Sequence, residues 1–257
     1  MGLLDFFFGN GSKSSYGAST SLEQEHPLQS GREHLGCYGA FFIHAQPART
    51  LKMTDKPEAL KKHDLEKAWG ITSAGSAKSV LQNLAELQET KEIDLSVLAD
   101  QEIIDVYREA EVSGKKFSAS DTRMMAAYER YTANLKAFRW NDEYSLASAE
   151  LYKKNIKATF SEVLSVSKVT AWDIERLAGV ARKCYHAGYL TEEECYEYLE
   201  KASELARQDY KNWREYTIGY FIGRGICYSA ENLGQWTHTA GELLNAKESI
   251  WNQYGVQ

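Results

Sequence analysis

The chain has 257 residues, 43% hydrophobic and 26% charged, and 30 basic against 36 acidic side chains leave a net charge of −6. This composition excludes collagen-like, low-complexity and mostly disordered chains. The acidic balance excludes a general nucleic-acid coat, which needs a basic surface to displace counterions, so no nucleic-acid partner is expected.

The chain opens Met1-Gly2-Leu3-Leu4-Asp5-Phe6-Phe7-Phe8-Gly9 and turns Gly- and Ser-rich up to Gly31. Residues 1–31 therefore read as a flexible arm with an apolar tip. The tip lacks a basic leader region, and Phe6 stands where a myristoylation motif wants Ser or Thr. Leu3, Leu4, Phe6, Phe7 and Phe8 can dock on the protein's own domain or on a partner, or make weak contact with a membrane surface. No run of about eighteen apolar residues is present, so no membrane-spanning helix is expected.

Residues 32–257 read as one helical domain. All three prolines (Pro27, Pro47 and Pro57) precede residue 58. Proline costs about 3 kcal/mol inside a helix, so a long proline-free stretch rich in Ala, Glu, Leu and Lys predicts helix after helix with short links. The fold class is all-α, a compact multi-helix domain behind the arm. Residues 31–50 leave a short strand and a buried loop both open.

From Lys56 the helical pattern begins, and Gly70 ends its first segment. Ser73 or Ser76 caps a helix with Val80, Leu81, Leu84 and Leu87 at helical spacing. Asp94 opens another that runs through Ile104 and stops near Gly114. Ser118 or Ser120 caps the helix holding Met124, Tyr128, Tyr131 and Leu135. One further helix spans Glu143 to Leu164. Thr170 caps a helix ending at Gly188, and Thr191 with Glu194 forms a capping box for the next. The last two run from Asp209 to Tyr228 and from Gly241 to Tyr254.

The stretch Ala171-Trp172-Asp173-Ile174-Glu175-Arg176-Leu177-Ala178 is followed by Ala181-Arg182, Gly188-Tyr189-Leu190, Trp213, Tyr216, Tyr220 and Gly223-Arg224. This order resembles a bacterial family of domains of unknown function, number 1266. The resemblance covers about residues 60–230 and implies a soluble bacterial protein with no established reaction.

No zinc-protease helix, phosphate-binding loop or nucleophile elbow is present. Cys37, Cys184, Cys195 and Cys227 form no close pair. They read as free thiols of a reducing, cytoplasmic compartment, and with His186 or His238 they lack the ligand spacing of a zinc site. No metal or cofactor is expected. Polar residues on apolar faces carry more information. Asp173 shares a face with Leu177, Val180 and Cys184. Arg224 closes the stripe Trp213, Tyr216, Tyr220. A carboxylate and a guanidinium on neighbouring buried stripes are expected to meet, since an unpaired buried charge is costly. The candidate polar cluster is Asp173, Arg176, Arg182 and Arg224, supported by Trp172, Trp213, Tyr216 and Tyr220. Trp236, Trp251 and Tyr254 are candidates for a partner-binding surface.

Two functions fit. The first is a non-enzymatic protein that binds another protein, such as a toxin-neutralising immunity-type protein whose acidic surface suits a basic toxin. The second is an enzyme or small-ligand binder with the Asp/Arg cluster lining a pocket. A sealed pair favours the first and a solvent-reachable one the second.

Overall fold

Helix follows helix along the proline-free region of the computed structural model, which describes residues 20–43 and 47–256. Among the described residues there is no strand, only one antiparallel bridge between Asp94 and Lys168. The elements are α1 (Ser21–Glu25), a 3-10 turn (Glu33–Cys37), α2 (Pro57–Leu60), a π-helical turn (Lys61–Leu65), α3 (Glu66–Trp69), α4 (Ala74–Ala85) and a second 3-10 turn (Leu95–Val97). Then follow α5 (Gln101–Ser113), α6 (Thr122–Ala137), α7 (Asn141–Leu151), α8 (Phe160–Ser165), α9 (Ala171–His186), α10 (Glu192–Asp209), α11 (Trp213–Cys227), α12 (Leu233–Asn245) and α13 (Ile250–Gln253).

Local chemistry explains most boundaries. Ser73 and Ser76 act together in one capping box for α4, and Thr191 with Glu194 forms the expected one for α10. Gly70 and Gly114 end α3 and α5 in the left-handed conformation. Several boundaries differ from expectation. Thr170 precedes α9 but makes no capping hydrogen bond, its hydroxyl donating to Asp209 instead. Asp121, not Ser118 or Ser120, caps α6 by accepting from the Met124 amide. Asp94 caps only a 3-10 turn, and Asp100 starts α5. The helix expected from Glu143 to Leu164 breaks into α7 and α8, because Lys157 adopts φ 53° and Thr159 then forms a fresh capping box. The final helix is likewise two, α12 and α13, with Ser249 capping the second.

The N-terminal arm was expected to run to Gly31. The apolar tip and the chain up to position 19 lie outside the described residues. From Thr20 the chain is folded onto the domain: Leu28 is buried, the Gln29 amide donates to Tyr196 Oη at 2.9 Å, and Arg32 pairs with Glu193. Residues 31–43 form a loop with a 3-10 turn, largely buried from Leu35 onward.

The centre of the molecule is α9, buried at every position from Ala171 to Cys184. α10, α11 and α4 pack directly on it, and α7 covers the far side of α11. A second, smaller apolar cluster of Ile103, Val106, Met124, Ala127 and Leu164 joins α5, α6 and α8.

The loop at 38–43 crosses α9 at close range. Gly39 has φ +76°, and a Cβ there would lie 2.7 Å from the Gly179 amide nitrogen. A Cβ at Gly179 would lie 2.4 Å from the Phe42 ring. Gly179→Ala is therefore expected to cost about 1–3 kcal/mol through forced displacement of Phe42. A urea titration giving a midpoint equal to wild type would contradict this contact.

Candidate functional site

Asp173 and Arg224 do not meet. Asp173 is 0% exposed, on the first turn of α9, and pairs with Arg176 one turn along the same helix. Its second oxygen accepts from the Thr90 amide at 3.1 Å and the Thr90 hydroxyl at 2.7 Å. Arg176 in turn holds Glu89 by two contacts, Nη1 to Oε1 at 3.0 Å and Nη2 to Oε2 at 2.8 Å. The indole of Trp172 donates to Glu89 Oε2 at 3.3 Å, and its ring lies 4.5 Å under the Arg176 guanidinium. Burial raises the Asp173 carboxyl above its ordinary range, against the pull of Arg176 and Thr90. The expected cross-helix ion pair fails because the turn after α4, where Leu87 takes φ 53°, brings Glu89 and Thr90 onto this end of α9. The nearer partners satisfy Asp173 completely.

Arg182 is also fully buried and lies apart from that cluster. Its Nη2 donates to the carbonyls of Pro47 and Thr50, tying the segment after residue 46 to α9. Next to it, Lys183 pairs with Asp64 of the π-helical turn. Arg224 is 3% exposed, and its Nη1 donates to the Ser229 carbonyl at 2.9 Å and the Glu231 carbonyl at 3.4 Å. The four residues grouped from sequence are thus three separate arrangements, of which only Asp173 with Arg176 is a joined pair.

The aromatic residues divide in the same way. Trp172 serves the Arg176 and Tyr220 side, 5.6 Å from the Tyr220 ring. Trp213 and Tyr216 belong elsewhere. Trp213 stacks on Trp251 with centroids 4.6 Å apart and 7° between planes, and Tyr216 meets Trp251 edge-on. Trp236 and Trp251 are buried, not surface anchors. Trp251 donates its indole N–H to the Cys37 carbonyl, and Trp213 donates to the Tyr254 carbonyl, so the chain's last helices close the core.

Sequence reasoning passed over Glu175, which is 0% exposed and has no cation partner among the described residues. Its Oε1 accepts from the Gly39 amide at 3.2 Å and from Tyr216 Oη at 2.9 Å. Its Oε2 accepts from the Phe41 amide at 2.9 Å and the Phe42 amide at 3.0 Å. One carboxylate thus holds the crossing loop to α9 and α11. Burial pushes its pKa up to about 7 despite these four donors. The available signal was an acidic residue two positions from Asp173, between Ile174 and Arg176. A charged residue there reads as the solvent face until the helix is known to be buried all round.

Cys37, Cys184 and Cys195 are buried and Cys227 half-buried, all four free. Among the described residues no group of three or more His, Cys, Asp or Glu is placed to hold a metal ion, and no helix is long and apolar enough to cross a membrane.

Fold and site together define an all-α protein organised around a buried central helix whose charged residues tie loops to the core. The sequence of residues 64–255 matches the model of the family described as protein of unknown function (DUF1266). The chain belongs to that family, and the match runs past the region first recognised, through α12 and α13. No curated protein and no solved structure matches the chain.

Proposed function

We propose that the protein is a non-enzymatic binding protein whose partner is another protein. The observation that carries this reading is the state of Asp173: it is sealed and its oxygens are fully engaged by Arg176 and Thr90. A carboxylate so placed cannot reach a substrate proton, and Glu175 is equally enclosed. Recognition then falls to the surface. The α5–α6 hairpin exposes Val112, Phe117 and Tyr128, and the last two touch edge-on with centroids 5.4 Å apart. Exposed aromatic groups of this kind are favoured as interface anchors.

The net charge of −6 suits a basic partner, and a toxin domain neutralised by an immunity-type protein is one such partner. Four free thiols agree with a reducing bacterial cytoplasm. The test is affinity capture with the tagged full chain from the organism that encodes it, beside the variant Phe117→Asp with Tyr128→Ala. We expect a stoichiometric protein partner that the variant loses while its thermal melt stays within a few degrees of wild type. A partner retained equally by the variant, or no stoichiometric partner, would overturn the reading.

A further inference from the structure

Arg224 carries a buried charge that no carboxylate among the described residues neutralises. A guanidinium stays protonated, and burying it without compensation is costly. Its Nη1 is spent on the carbonyls of Ser229 and Glu231. Its plane lies against two rings, 5.4 Å from Tyr228 and 5.5 Å from Trp236. Nε and Nη2 make no hydrogen bond to the described residues, and the residue keeps 3% exposure. That free Nε–Nη2 edge presents two parallel N–H groups, the geometry a carboxylate takes side-on.

A second unmet donor lies one helical turn earlier. Tyr220 is 0% exposed, and its hydroxyl has no hydrogen-bond partner among the described residues. A buried hydroxyl normally finds one. Trp236 links the two residues, with its ring 6.5 Å from the Tyr220 ring. Trp172 lies 5.6 Å from Tyr220 and 6.2 Å from Tyr228. Tyr228, 54% exposed, is the outermost wall. Burial pulls the Arg224 pKa down, and only the phenols of Tyr220 and Tyr228 act against it. Among the described residues no acid group offsets this cation.

We infer that this end of α11 is a binding site for a monoanionic aromatic carboxylate. The carboxylate takes the Nε–Nη2 edge of Arg224 and accepts from Tyr220 Oη. The apolar body rests against Trp172, Trp236 and Tyr228. Arg224 is the one guanidinium here without a carboxylate partner among the described residues, since Arg176, over the Trp172 ring, is already paired with Asp173 and Glu89. One uncompensated positive charge favours a carboxylate over a phosphate dianion. The site goes beyond the protein-binding reading and does not depend on it, since it lies on α11 and not on the α5–α6 hairpin.

The experiment uses the full chain with benzoate as the probe. Acetate, inorganic phosphate and chloride are the comparison anions at matched ionic strength, and the readouts are calorimetry and tryptophan fluorescence. Benzoate should saturate at one per chain and raise the melting temperature, with acetate weaker and phosphate and chloride without saturable effect. Tyr220→Phe should weaken benzoate roughly tenfold or more by removing a hydrogen bond to a charged group. It should melt no lower than wild type, because the lost hydroxyl had no partner. Arg224→Gln should abolish saturation. Benzoate that fails to saturate wild type, chloride as effective as benzoate, or Tyr220→Phe binding benzoate like wild type would each overturn the site. Loss of benzoate binding would leave the partner-capture result standing, so the two readings fail separately.

Discussion

Glu175→Ala is expected to cost at least about 4 kcal/mol, because it strands the amides of Gly39, Phe41 and Phe42 and the Tyr216 hydroxyl in a dry core, each worth about 1–3 kcal/mol when left unpaired. That is most of the margin of an ordinary domain, so the variant should be recovered largely unfolded, with weakened near-ultraviolet circular dichroism.

The same residue sets a pH dependence. Its folded pKa of about 7 lies above its ordinary value of 4.5, so between these values the folded state holds more protons than the unfolded state. Its contribution to stability is therefore fully present below about pH 4.5 and is lost as the pH rises through about 7. The difference across that window amounts to about 3 kcal/mol. Glu175→Gln removes the titration, so its stability should fall less than wild type between pH 4.5 and 8. Denaturant titrations at several pH values read the difference directly, and parallel curves for the two proteins would refute the assignment.

Asp173→Ala is expected to cost about 3–5 kcal/mol, since it leaves Thr90 without its acceptor and Arg176 with only the half-exposed Glu89. The double change Asp173→Leu with Arg176→Met should recover much of that loss, because both buried charges go and the volume is roughly kept. Asp173→Leu with Arg224→Met should show only the sum of the two single changes, since those residues are not partners. Thermal melts of the single and the two double variants decide the pairing. Rescue by the Arg224 change and not by the Arg176 change would show that the pair had been drawn between the wrong residues.

Helix content, a serine cap at Ser73 or Ser76, the capping box at Thr191 and the glycine stops at Gly70 and Gly114 were legible because each is written within a few residues of chain. The family was legible for the same reason: its pattern is densest in the continuous stretch from Trp172 to Arg224. The burial of Asp173 and Arg224 was legible too, from their places on apolar stripes. Their pairing was not. Helical periodicity says which face a residue occupies, but not which loop arrives at that face. The turn carrying Glu89 and Thr90 reaches Asp173 across 83 residues of chain. Glu175 escaped notice because periodicity assumes one wet side, and α9 has none over its first fourteen positions. Local sequence therefore set where helices start, stop and turn their apolar sides. Packing chose the partner of each buried charge, because that choice depends on contacts between segments far apart along the chain.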